Sequence, residues 1–162
     1  GKTECWYFLN CSENAHVYLG FKEGITKDDW ISAVYRQDTE AMLAMLNKLP
    51  VKNGDCVLVE GGVPHAIGEG CFMIEVQEPS DLMGVVEKKT PSGNEIADIK
   101  LHGGIGFENM LKMFDYTGRS IEQIKEKYKA PDTHEISVLA KYQKMIDGLV
   151  DEALMKDILQ KI

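Results

Sequence analysis

The chain has 162 residues, 44% of them hydrophobic and 27% charged, a composition typical of one globular domain with or without an appendage. Its 18 Lys and Arg against 26 Asp and Glu leave a net charge of −8, so we expect binding neither to nucleic acid nor to an anionic membrane surface. No apolar run approaches the roughly 18 residues that span a bilayer, and Gly1–Glu4 does not resemble the start of a secretory signal. We therefore predict a cytoplasmic protein whose partner is a small molecule.

Short runs of β-branched and aromatic residues, separated by Gly and Pro turns, predict strands over 4–9, 15–21, 56–59, 71–77 and 85–88. We expect the first two strands to be antiparallel neighbours. Short strands between such turns are typical of a β-sandwich or a small barrel. The predicted fold class is therefore mainly β.

Helical signals interrupt and follow the strands. Thr26 and Asp29 form a capping-box pattern, which begins a helix to about Gln37. A second helix is predicted from Asp38 onward, because Met and Leu then recur at steps of three and four, and the two helices form an insert over about 26–49.

From residue 101 the helical spacing returns and continues to the last residue. We therefore predict a β domain over 1–100 and an α-helical appendage over 101–162. A tail of this size is too small for a robust core of its own, so we expect it to pack on other sequence.

The four cysteines follow no C-x-x-C spacing, and they alternate with apolar residues as buried thiols do. Thiols of this kind stay reduced in the cytoplasm. The sequence predicts reduced and inert thiols at Cys5, Cys11, Cys56 and Cys71.

One histidine stands where a metal ligand is expected. His65 follows Pro64 after a strand and a Gly turn, at the predicted mouth of the barrel, and a neutral imidazole binds Zn²⁺ at about 2.0–2.1 Å. A histidine beside apolar residues is also common as a hydrogen-bonded structural group, so spacing alone leaves both interpretations open. We predict that His16 is structural, that His102 lies in a loop and that His134 is a cap or surface residue.

Three blocks of the sequence carry a family resemblance. The segment Gly54–His65 resembles the second cupin motif, except that Glu60 stands where the motif has Pro. The blocks Gly1–Tyr7 and Pro64–Ala66, the latter continued by Ile74–Asp81, resemble type I phosphomannose isomerases. The resemblance covers just over half the chain and implies a cupin-like jelly-roll barrel or sandwich.

The resemblance also implies a set of site residues. It makes Glu4 and His65 ligands of one divalent ion, Zn²⁺, whose two other ligands belong to a Gln-x-His element upstream of this chain. We expect this chain by itself to bind metal weakly or not at all. The resemblance also assigns Lys2 and Glu75 to catalysis, and it leaves open which of them is the general acid/base.

For substrate binding, the resemblance points to Asp81. The family has an active-site Arg where this chain has Val85, and Lys88 is the candidate that would replace its charge.

The activity implied is interconversion of mannose 6-phosphate and fructose 6-phosphate, an aldose–ketose isomerisation. A non-catalytic, sugar-phosphate-binding or regulatory cupin domain is the alternative, favoured by the missing Arg. An iron-dependent cupin oxygenase ranks last, because it needs two histidines and a carboxylate on one face. We further expect exposed strand edges to favour self-association.

Overall fold

The computed structural model describes residues 1–130, and in that part of the chain six strands form two three-stranded antiparallel sheets. The strands are β1 (Glu4–Cys11), β2 (His16–Phe21), β3 (Leu46–Pro50), β4 (Cys56–Val59), β5 (His65–Ile67) and β6 (Cys71–Gln77). The β1 sheet has the order β4-β1-β6, and the β2 sheet has the order β3-β2-β5. The prediction of a mainly β fold is confirmed.

The first two strands belong to different sheets, so the prediction that they are neighbours is wrong. Both strands bury one face in the same core, where Trp6 and Phe8 of β1 meet Val17 and Leu19 of β2. Each strand presents alternate residues to that core. Strands that bury their apolar faces against each other stack across a core, whereas hydrogen-bonded neighbours would present those faces in the same direction.

The helical insert begins as predicted. Helix α1 (Lys27–Arg36) has Thr26 as its N-cap, and the side chains and backbones of Thr26 and Asp29 form the reciprocal bonds of a capping box. Gln37 ends the helix in the left-handed conformation.

The second helix is shorter than predicted. Helix α2 (Thr39–Ala44) ends before Leu46, and Leu46–Pro50 is strand β3. Leu49 lies opposite Val17 of β2, and both side chains are fully buried. Pairing with β2 therefore decides this segment over its helical spacing.

The strand predicted over 85–88 is wrong, because this segment lies outside any strand. The side chain of Gln37 substitutes for a neighbouring strand: its Nε2 donates to Val86 O at 2.9 Å, and its Oε1 accepts from Lys88 N at 2.7 Å. Backbone groups satisfied by a side chain need no ladder.

Three short helices follow, α3 (Asp98–His102), α4 (Phe107–Leu111) and α5 (Ile121–Tyr128). Their buried residues are Leu101, Met110, Leu111, Ile124 and Tyr128, and Gly1–Lys129 forms one compact unit. Within the described residues, helices α3 to α5 thus belong to the same unit as the sheets. The rest of the predicted appendage, over 131–162, and the prediction for His134 lie outside the described residues. In residues 1–130, no helix is both long and apolar enough to cross a membrane.

Candidate active site

A carboxylate and an imidazole from different sheets face each other at the centre of the site. Glu4 begins β1, and His65 begins β5. Glu4 Oε2 lies 3.7 Å from His65 Nε2, and the two side chains are 8% and 35% exposed. The structure thus brings the two predicted ligand residues together, and their role in metal binding stays a prediction.

Alternation along the strands explains why both side chains point inward. Glu4 lies on the same face of β1 as the buried Trp6, and His65 is the cross-strand partner of the buried Leu19. Each sheet therefore contributes one donor to the same space.

A hydrogen bond of the His65 ring determines which of its two nitrogens carries the proton. Nδ1 lies 2.8 Å from Val63 O, and because a carbonyl can only accept, Nδ1 carries the proton of that bond. In the neutral ring, Nε2 then presents its lone pair toward the carboxylate. Two electron-pair donors that face each other 3.7 Å apart are suited to a shared cation.

The separation suits a metal ion. Zn–N and Zn–O bonds of about 2.0–2.2 Å allow one ion to touch both donors when they are up to about 4 Å apart. The bond from Nδ1 to a backbone carbonyl is the kind that orients metal-ligating histidines. Within residues 1–130, however, no three His, Cys, Asp or Glu side chains converge into a larger ligand group. Glu4 and His65 therefore fit two positions of a metal site.

Glu4 is held by two further side chains. Trp6 Nε1 donates to Glu4 Oε2 at 3.3 Å, and Lys2 Nζ lies 3.8 Å from Glu4 Oε1. Lys2 Nζ also donates to the side-chain oxygen of Gln77, which is the cross-strand partner of Glu4 on β6. The ammonium group and the amide thus lie beside the carboxylate.

Glu75 shares this face but is more open to solvent. It is the cross-strand partner of Trp6, so its side chain lies on the same face of the β1 sheet as Trp6 and Glu4. Because Glu75 is exposed, it borders the site rather than filling it.

The two predicted substrate residues lie in the irregular segment after β6. Asp81 is exposed. Lys88 has its Nζ 4.9 Å from the centre of the Phe107 ring, and its backbone N bonds to Gln37. Among the described residues, no hydrogen bond or ion pair joins either of them to Glu4 or His65.

The other described histidines have structural partners. His16 Nδ1 lies 2.9 Å from Asn14 O, and its ring packs edge-on against Tyr18. His102 Nδ1 accepts from the backbone N–H groups of Gly104 and Gly106, at 3.2 and 3.1 Å, and so closes the turn after α3.

Sequence reasoning missed Trp6 and Gln77 as members of the site. The period of two along β1 would have placed Trp6 on the Glu4 face. Gln77 needed the register of β1 against β6, which nothing in the sequence reveals. Two surface cavities of about 430 and 450 Å³ share Arg119 in their lining, and neither is lined by Glu4 or His65.

Comparison with known proteins identifies the relatives of this chain. No family model matches it. It is 38% identical to a mannose-6-phosphate isomerase of Streptococcus mutans and 36% identical to one of Bacillus subtilis, in each case over 81 residues that make up 50% of this chain and 24% of the relative. The chain thus spans about a quarter of the length of these relatives.

Solved structures give the same result. A mannose 6-phosphate isomerase structure from Bacillus subtilis matches with a TM-score of 0.57 and 27% identity, covering 74% of this chain and 36% of that one. A candidate mannosephosphate isomerase from Archaeoglobus fulgidus also has a TM-score of 0.57, over 80% of this chain and 35% of its own, and its 19% identity supports the fold alone.

The fold is therefore similar to that of solved isomerases that act on a sugar phosphate. More narrowly, the predicted resemblance to phosphomannose isomerases is confirmed, since both the curated relatives and the solved structures carry that name.

Proposed function

We propose that this chain carries part of the active site of a metal-dependent aldose–ketose isomerase that interconverts mannose 6-phosphate and fructose 6-phosphate. The observation that supports the proposal most is the 3.7 Å approach of Glu4 Oε2 to His65 Nε2, on a chain similar to mannose-6-phosphate isomerases. In this proposal the two sheets belong to a cupin-like jelly roll.

Glu4 and His65 would hold the metal, for which we propose Zn²⁺. When bound, such an ion acts as a Lewis acid on the sugar oxygens. The resemblance implies that the other two ligands belong to a Gln-x-His element. The 3.3 Å bond from Trp6 and the bond from His65 to Val63 would keep the two donors oriented.

The proton transfer requires a base near C1 and C2 of the sugar and positive charge near the oxygens on which negative charge develops. Lys2 supplies positive charge 3.8 Å from Glu4, and Glu75 supplies a solvent-accessible carboxylate on the same face. We propose that one of these two residues is the general acid/base. Lys2→Met and Glu75→Gln distinguish them, because only loss of the base removes exchange of the substrate C2 hydrogen with solvent.

Asp81 and Lys88 remain proposed substrate contacts. Both side chains are exposed, so a phosphate or a sugar hydroxyl could reach them. To bind phosphate, Lys88 must leave the Phe107 ring, 4.9 Å from its Nζ. We also keep self-association as a proposal, because β6 and β5 are edge strands of their sheets in the described part of the chain.

A non-catalytic sugar-phosphate-binding domain is the second candidate. Val85 supports it, because valine offers neither the fixed charge nor the paired donors of the arginine that the family has there. This candidate predicts binding of fructose 6-phosphate without turnover.

Metal binding can be tested with two matched histidine variants. His65 and His16 each begin a strand and each place Nδ1 near the carbonyl of the residue two positions earlier. In calorimetric Zn²⁺ titrations, we expect weak binding by the unaltered chain, a loss of at least about tenfold in His65→Ala, and no change in His16→Ala. Equal effects of the two substitutions would refute the metal role of His65.

The activity is tested separately, by following the interconversion of mannose 6-phosphate and fructose 6-phosphate in the presence of Zn²⁺. Because this chain carries only two of the implied metal ligands, we expect low turnover, which His65→Ala removes and His16→Ala preserves. Fructose 6-phosphate binding without turnover would select the non-catalytic alternative, and absence of both binding and turnover would refute both candidates.

A further inference from the structure

Two cysteine side chains touch on the face of the β1 sheet opposite the candidate active site. Cys5 lies on β1 between the inward-facing Glu4 and Trp6, so its side chain points outward. Cys56 lies at the start of β4, and its Sγ is 3.4 Å from the Sγ of Cys5. One thiol therefore donates a hydrogen bond to the other.

The strand register makes this contact a fixed feature of the sheet. Cys5 is the partner of Leu58, and Cys56 is the partner of Tyr7, so the two cysteines are diagonal neighbours on adjacent antiparallel strands. Neither strand can shift without breaking the pairs that bury Trp6 and Val57, both fully buried. The sheet thus holds the two sulfurs together.

The two thiols differ in exposure. Cys5 is partly exposed, whereas Cys56 is buried. A small oxidant from solvent therefore reaches Cys5 first, and Cys56 is the nearby thiol that can react with the product.

In contrast to the inert thiols predicted from the sequence, we propose that Cys5 and Cys56 form a peroxide-sensitive dithiol that closes reversibly to a disulfide. In the first step, Cys5 Sγ attacks one oxygen of hydrogen peroxide, the O–O bond breaks, and the released hydroxide leaves as water with the thiol proton; Cys5 becomes a sulfenic acid. In the second step, Cys56 Sγ attacks Cys5 Sγ, the S–O bond breaks, and a second water leaves with the proton of Cys56. The two sulfurs are oxidised and both peroxide oxygens are reduced.

The movement required is small. A disulfide bond is about 2.05 Å long, so the sulfurs must approach by about 1.4 Å from their 3.4 Å contact. Because the residues are diagonal rather than directly opposite, rotation of both side chains must be accompanied by a slight approach of β1 and β4.

The remaining two cysteines provide an internal comparison. Cys11 and Cys71 are directly opposite on β1 and β6, and both pack against the core. The Cys71 thiol donates to His16 O at 3.5 Å, which directs it to a backbone carbonyl. We therefore expect this pair to react more slowly than Cys5 and Cys56, although its register is the more favourable for a cross-strand bond.

The experiment treats the folded 162-residue chain with one equivalent of hydrogen peroxide. It then counts free thiols after denaturation and maps crosslinked peptides by mass spectrometry. We expect the four thiols of the reduced chain to fall to two, with a Cys5–Cys56 crosslink that dithiothreitol reverses. Cys71→Ser should form the same crosslink. Cys5→Ser and Cys56→Ser should form none, and Cys56→Ser should accumulate a Cys5 sulfenic acid that dimedone traps.

The outcomes that would overturn the proposal are specific. They are a Cys11–Cys71 crosslink that forms first, retention of all four thiols, or equal thiol loss in the unaltered chain and in both Cys5→Ser and Cys56→Ser. Cys5→Ser changes a partly exposed residue, so it keeps the test valid if Cys56→Ser does not fold. The proposal does not depend on the isomerase function.

Discussion

Asp55 and Lys129 form an ion pair whose two members differ greatly in exposure. Asp55 Oδ2 accepts from Lys129 Nζ and from Lys52 N, both at 2.8 Å. The Asp55 side chain is 1% exposed and that of Lys129 is 23% exposed. Lys129 caps the end of α5 and Asp55 precedes β4, so the pair ties the last described helix to the β1 sheet.

This difference predicts which partner is the more costly to remove. Lys129→Met leaves a carboxylate buried without its counter-charge, and breaking a buried pair in this way costs about 3–5 kcal/mol of the free energy of unfolding. Asp55→Asn leaves an ammonium group that can turn toward water, so only the charge-assisted bond is lost, at about 1.5–3 kcal/mol. The double variant should be close to Asp55→Asn, because it no longer contains an unpaired buried charge.

Urea unfolding of the three variants measures these free energies. Lys127→Met is the matched control, because Lys127 lies on the same helix and pairs with Glu60 at 2.7 Å, with side-chain exposures of 42% and 48%. An exposed pair of this kind contributes about 0–1 kcal/mol. The reasoning fails if Lys127→Met costs as much as Lys129→Met, or if Asp55→Asn is the more destabilising member of the buried pair.

Three further predictions concern single features of the fold. Thr26→Ala removes the capping box of α1 and should lower the free energy of unfolding by about 1 kcal/mol in urea titrations. Burial raises the pKa of Asp115, but hydrogen bonds and the ion pair with Arg119 outweigh it and hold that pKa below 3.8. Asp115→Asn should therefore destabilise by about 1 kcal/mol at pH 7, and this loss should disappear as the pH falls through the lowered pKa, where the unaltered chain also loses the charge. Gly62→Ala should cost more than Gly54→Ala in thermal unfolding, because both glycines have positive φ but only at Gly62 would the new Cβ lie 2.7 Å from a carbonyl oxygen.

The sequence predicted those elements whose signals are local. The capping box at Thr26 and Asp29 needs only residues three apart, and it occurs as expected. Leu46 and Leu49 have the spacing of a helix face, yet they lie in β3 because β2 offers partners 25 and 32 residues earlier in the chain. Spacing along one segment contains no information about such a partner. The predicted starts of both helices in the insert therefore agree with the structure, whereas the predicted end of the second helix is wrong.

Residue type and family resemblance predict that Glu4 and His65 are metal ligands, and this role stays a prediction. The 3.7 Å between their side chains depends on contacts between the sheets, which the sequence does not reveal. At residues 85–88, the local residue types predict a strand that the structure does not contain. Four residues of strand-like sequence form no strand there, because the amide of Gln37 satisfies the backbone of Val86 and Lys88. A side chain that far away in sequence cannot be assigned to a backbone group from the sequence alone.

The candidate site depends on the packing of the two sheets more than on either sheet. Glu4 comes from the β1 sheet and His65 from the β2 sheet, so no hydrogen-bonded ladder fixes the 3.7 Å between them. Trp6 is the residue that touches both: its N–H bonds to Glu4, and its ring meets the His65 ring edge-on, with 5.3 Å between centroids. Because Trp6 is also fully buried, the same side chain that fills the core sets the distance between the donors. Core packing and the geometry of the proposed metal site are therefore coupled through one residue, and a change in the volume of this core would alter the separation of the two donors.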